Sequence, residues 1–203
     1  MYLVPDRYED QASESGLVTL NQIRTHLNLA DDTYEQDILT RFGASVQEVI
    51  ERSLERPIVS RVRTFKFRDL VAGNTEIQLR HTPIQAVTQI AYYSKTNVAT
   101  VVPAEDYLVE GLGDNTDLRK VEILPIDQWP TYSEVQHRIY PLQIQATVGF
   151  DVVPSPIVEA ALQIIGLWYS NREAASVLNY SLVPYGAEKL LNQYSLTNPI
   201  KIL

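Results

Sequence analysis

The period of the apolar residues changes twice along the chain, and those two changes bound the fold. Before Pro57 the period is helical: Leu20, Ile23 and Leu27, then Ile38, Phe42, Val46, Val49 and Ile50, recur at steps of mostly three and four. From Ile58 the step is two, as in a strand whose side chains alternate between core and solvent. At Val153 the helical step returns, with Ile157, Ala160, Ala161, Ile164, Ile165 and Trp168. The expectation is an α+β fold: a small helical bundle, two helices from each end of the chain, carrying a large antiparallel β insertion.

The boundaries follow from local signals. Residues 17–57 and 151–195 are expected as the helical core, 58–150 as the β-rich insertion, and 196–203 as an extended C-terminal tail. Thr19 is placed to cap the first helix, which ends near Asn28; Asp31, Asp32 and Thr33 offer the cap of the second, which runs to about Leu54 before Pro57. Strands are expected over Ile58–Leu70, Glu76–Arg80, Val87–Ser94, Val98–Val102, Tyr107–Val109, Val121–Leu124 and Leu142–Val148. Ser155 and Pro156 open a third helix reaching about Arg172, and a fourth begins near Tyr185. Residues 1–16 show no apolar period and read as a flexible arm, or as a segment ordered only by a partner.

Charge and composition remove whole classes of function. The 203 residues include 25 acids and 17 bases, a formal charge of −8, and 11 of the acids but only 5 of the bases lie before Pro57. Such a balance opposes binding nucleic acid over a broad surface, which needs surplus Lys and Arg against phosphate. The absence of cysteine excludes a disulfide framework, a thiolate metal site and a thiol nucleophile, and fits a protein made in a reducing cytoplasm. No apolar stretch approaches the ~20 residues of a membrane span. The segment Met1–Asp10 carries Asp6, Glu9 and Asp10, not the basic-then-apolar run of a signal peptide.

No catalytic, metal or cofactor motif stands out. The glycines form no phosphate-binding loop, and His26, His81 and His137 are scattered. A carboxylate-based hydrolase would need two facing acids, but Asp31-Asp32 reads as a helix cap and Glu105-Asp106 as a turn. One strand carries more: Arg61 and Arg63 share a face with Phe65 and Phe67, while Lys66 and Arg68 lie on the other. A basic, aromatic-bearing strand is suited to phosphate pairing and base stacking, but in an acidic chain the favoured reading is a half-solvated strand whose charges protect an edge or pair with acids of a neighbouring subunit. Tyr169, Arg172 and Glu173 turn away from the apolar stripe of Trp168, toward a contact within the fold or between subunits.

The order of these motifs resembles the head–tail connector (adaptor) proteins of tailed bacteriophages, the gp6-like DNA-packaging connectors. The matching stretches are Leu17 to Leu27 followed by Asp31-Asp32, Arg56-Pro57, Leu79 to Val87 with Thr82-Pro83-Ile84, Val153-Pro154-Ser155-Pro156-Ile157, Trp168 to Glu173, and Pro184 to Leu191 with Tyr194. Residues 95–140 depart from the pattern and are enlarged. The resemblance implies a non-enzymatic virion protein of the neck, assembled in the host cytoplasm without a cofactor. It implies a ring, dodecameric in the usual case, which sits under the portal protein, extends the DNA channel and offers the next neck or tail component a platform. It also implies docking to the portal through the C-terminal end, here Ile200, Lys201, Ile202 and Leu203. An extended apolar tail after Pro199 suits addition to a sheet edge or a groove.

Overall fold

A computed structural model describes residues 2–13, 15–29, 35–80, 83–94, 98–113, 120–129, 139–171 and 184–195. The chain divides into two compact units, a sheet unit of Met1–Glu14 and Ser60–Asp151 and a helical unit of Ser15–Val59 and Val152–Leu203.

Among the described residues the sheet unit holds nine strands: β1 (Tyr2–Leu3), β2 (Arg7–Asp10), β3 (Arg61–Phe67), β4 (Glu76–Arg80), β5 (Ile84–Tyr93), β6 (Ala99–Val101), β7 (Tyr107–Glu110), β8 (Lys120–Pro125) and β9 (Leu142–Val148). They form a four-stranded sheet in the order β1-β4-β8-β7 and a five-stranded sheet in the order β2-β3-β9-β5-β6. Alternation explains the shared core. Phe65 and Phe67 of β3, Ile77 and Leu79 of β4, Ile90 and Tyr92 of β5, Val121 and Ile123 of β8, and Leu142, Ile144, Ala146 and Val148 of β9 are all buried in one cluster with Trp129. The indole N–H of Trp129 donates to the Thr75 carbonyl at 2.6 Å, which satisfies its polar edge. The sheets are also joined in the chain at both margins: β1 leads into β2, and β6 leads through one 3-10 turn (Ala104–Asp106) into β7.

This corrects the expected fold class. Helix and strand occur in roughly equal amounts, and the strands build two sheets around a core of their own, so the protein is a sheet-rich mixed fold and not a small helical bundle with an insertion. Nor is every pairing antiparallel, because β1 lies parallel to β4. The apolar period identifies strands but carries no information on which of them pair, and nine short strands have many pairings.

The helical unit comprises α1 (Leu20–Leu27), α2 (Gln36–Leu54), α3 (Ser155–Ser170) and α4 (Tyr185–Asn192). Thr19 and Gln22 form a reciprocal capping box at the start of α1, and Asn28 ends it in the left-handed conformation at φ 54°. Glu35 occupies the cap position of α2; Asp31, Asp32 and Thr33 lie outside the described residues. Leu39, Val46, Ile50 and Leu54 of α2 and Ile157, Ala160, Ala161, Ile164 and Ile165 of α3 are the buried stripes, and Phe42 meets Trp168 edge to face at 5.9 Å. After α2, the Glu51 carboxylate accepts from the backbone N–H groups of Ile58 and Val59, which fixes the exit from the helix. Arg56 is buried there, and burial pushes its guanidinium pKa down to about 10.

Candidate functional site

The basic strand singled out in the sequence is β3, and the structure lays an acidic strand along it. β2 pairs antiparallel with β3 in the register Arg7↔Lys66, Tyr8↔Phe65, Glu9↔Thr64 and Asp10↔Arg63. Main-chain bonds from Asp6 N–H to the Lys66 carbonyl (3.0 Å) and from Gln11 N–H to the Val62 carbonyl (2.9 Å) extend the ladder at both ends.

Every cation of β3 and the residue after it meets an acid of this N-terminal strap. Arg63 donates to Asp10 through Nε at 2.5 Å and Nη2 at 2.8 Å, a bidentate fork, while Arg61 Nε donates to the same carboxylate at 3.1 Å. Lys66 Nζ lies 2.7 Å from Glu9, whose other oxygen lies 3.6 Å from Arg7. Asp6 accepts from the Arg68 backbone N–H at 2.8 Å and sits 3.9 Å from its guanidinium. The Tyr8 ring covers the Arg63 guanidinium at 4.1 Å.

Depth grades these pairs. The Arg63 side chain is 5 % exposed and Arg61 11 %, against 64 % for Arg68. Arg63 lies on the face that carries Phe65 and Phe67, so its charge depends on a counter-charge within the protein. Partial burial raises the Asp10 pKa, but the hydrogen bonds and charges of Arg63 and Arg61 outweigh it, and the carboxyl stays below its ordinary value. Glu9 is lowered by its hydrogen bond from Lys66.

The other margin of the sheet unit is different in character. β6 is uncharged and wholly exposed, with its Val101 and the preceding Val98 open to solvent, and β7 exposes Leu108. On the outer face of the four-stranded sheet Lys120 pairs with Glu122, which lowers the Glu122 pKa. Thus Glu9, Asp10 and Glu122 are each driven toward the charged form, the opposite of what a general acid requires. Among the described residues no group of three His, Cys, Asp or Glu is placed to hold a metal ion, and no helix is long and apolar enough to cross a membrane.

The other residues named from the sequence divide simply. The Tyr169 hydroxyl lies 2.6 Å from the Glu35 carboxylate, a bond between α3 and the start of α2 within the helical unit. Arg172, Glu173 and the tail Ile200, Lys201, Ile202 and Leu203 lie outside the described residues. Sequence reasoning missed Asp6, Tyr8, Glu9 and Asp10 as partners of β3. The available signal was complementarity, since an acidic N-terminal segment and a basic strand are both visible in the chain.

No family model matches the sequence, and no curated protein matches it. Solved structures do. A chain from the neck of an empty GTA particle, computed with C6 symmetry, superposes with a TM-score of 0.70 at 16 % identity, covering 95 % of this chain and 96 % of that one. The chain has the fold of a gene transfer agent neck chain. Two further structures agree: the neck of a native GTA particle computed with C12 symmetry (TM-score 0.68, 16 % identity, 95 % and 96 % covered) and the virion of a native gene transfer agent particle (0.66, 15 %, 94 % and 96 %). The likeness spans both compact units.

Proposed function

We propose that the protein is a structural component of the neck of a phage-like particle. In this reading it forms a ring under the portal, extends the DNA channel and gives the next neck or tail component its platform. The observation that carries the reading is end-to-end likeness to a neck chain, with 95 % of one chain and 96 % of the other covered. The order of motifs shared with head–tail connectors supports it independently, and the two symmetries, C6 and C12, are those of assemblies built by rotation. The portal contact is assigned to Ile200, Lys201, Ile202 and Leu203.

The same structure weighs against the two rival readings. A nucleic-acid module would present Arg61, Arg63, Lys66 and Arg68 to phosphates, but here carboxylates of the same chain occupy them. A carboxylate hydrolase needs an acid held protonated, and the shifted carboxylates go the other way. The deciding experiment removes the protein from particles that still carry a portal. Tail attachment is expected to fail, and normal tail joining would end the proposal. Salt-sensitive DNA binding by the isolated protein, lost in R61A/R63A, would favour the nucleic-acid reading instead.

A further inference from the structure

The N-terminal strap is chained to one unit and packed on the other. The helical unit begins at Ser15, directly after the strap, yet β1 and β2 pair with β4 and β3 of the sheet unit. The intervening segment Gln11-Ala12-Ser13-Glu14-Ser15-Gly16 contains no large apolar side chain. Nothing in the strap's grip requires its receiving strand to belong to the same chain. All four residues of β2 are exposed, so it is held by the main-chain ladder, the ion pairs and the Tyr8–Arg63 contact.

We propose that the strap is exchanged between neighbours in the ring: residues 2–10 of one copy pair with β3 and β4 of the next. The proposal rests on the ring reading above. Charge complementarity names the occupant, since Asp6, Glu9 and Asp10 answer Arg61, Arg63, Lys66 and Arg68 pair by pair. Closed and exchanged forms make the same contacts, so the balance between them is set by the tether and by the local concentration of the receiving strand, which a ring raises. The chemistry of the strap suits such a step. An apolar edge strand released before assembly would aggregate, whereas a released β2 is acidic and the β3 edge it leaves is basic, so both stay solvated, and Leu3 of β1 is the side chain that gives up core contact. Exchange turns the charged β2–β3 seam into a head-to-tail clasp.

The absence of cysteine makes the test clean, because any disulfide is the engineered one. Glu9 and Thr64 are Cα partners in the ladder, and paired antiparallel residues lie about 4.5–5.5 Å apart at Cα, within the Cα span of a disulfide. The full-length E9C/T64C variant is oxidised, its native mass is measured, and its chains are separated without reductant. Exchange predicts a ring whose chains run as a covalent ladder. A ring whose chains all run as internally bonded monomers overturns the exchange and leaves the ring standing. A monomer in native solution, with only the internal bond, overturns the ring and the exchange together. Should the double variant fold poorly, isotopically heavy E9C chains are co-assembled with light T64C chains. A heavy–light disulfide then forms only by exchange, and its absence in a mixed ring refutes it.

Discussion

Asp10→Asn tests the physics of the strap most directly. The carboxylate serves three hydrogen bonds, two from Arg63 and one from Arg61. Asparagine keeps the shape but turns one acceptor into a donor that faces a guanidinium, and it removes the carboxylate that pairs with Arg63. Breaking a fully buried pair costs about 3–5 kcal/mol and an exposed one about 0–1. The Asp10 side chain is 27 % exposed and Arg63 5 %, so the cost falls between these limits, at about 2 kcal/mol after allowing for the Tyr8 ring that still covers Arg63. Denaturant unfolding read by Trp129 fluorescence in a W168F background reports on the sheet unit alone, since the two tryptophans lie in different units. The sign with pH is fixed. The folded Asp10 pKa is below its ordinary 3.8, so the stability it contributes is complete above that value and is lost as pH falls through the lowered one. The gap between wild type and D10N therefore closes in acid. The double variant D10N/R63L, which removes both charges, is expected to recover part of the loss. A D10N protein within about 0.5 kcal/mol of wild type at neutral pH, or a gap that persists in strong acid, would refute the reasoning.

Other outcomes follow from single residues. Gly43→Ala is expected to stabilise the helical unit by about 0.5–1 kcal/mol, because a Cβ in the middle of α2 meets Ile23 Cδ1 at an ordinary 3.4 Å; thermal unfolding read at Trp168 checks it. Glu55→Gly relieves a left-handed residue at φ 55° and is expected to raise stability by about 1 kcal/mol in the same assay. Deleting Ile200 to Leu203 is expected to leave both unfolding transitions unchanged and to weaken co-purification with the portal; unchanged co-purification would place the contact elsewhere.

Most elements were legible in the sequence because a period or a cap declared them. Leu142–Val148 and Glu76–Arg80 appear over the expected residues, and α1 has the expected cap at Thr19. What stayed hidden was held by something other than apolar burial. β2 buries none of its residues, so a reading built on hydrophobic period finds no strand there and reads an arm. The burial of Arg63 is equally invisible from within β3, since its counter-charge, Asp10, arrives from a distant part of the chain. Strand partnership was the remaining gap, because Ile77 and Leu79 alternate with polar residues in β4 as Leu142 and Ile144 do in β9, and only three-dimensional closure assigns the two strands to different sheets.

The pairing of β3 with β9 bears on the order in which the molecule is made. The helical unit is assembled from two pieces, with β3 to β9 of the sheet unit between them in the chain. Arg61, just after the first crossing between units, lies opposite Val148, just before the second. Until that pair forms, α2 and α3 stand at the ends of a long open loop, and α2 has α1 to pack on but not α3. Once β9 zips onto β3, the loop is closed and the second half of the helical unit emerges beside its first. The β3–β9 pairing thus ties together the two crossings of the chain between the units, so that whichever unit forms first shortens the loop that the other has to close.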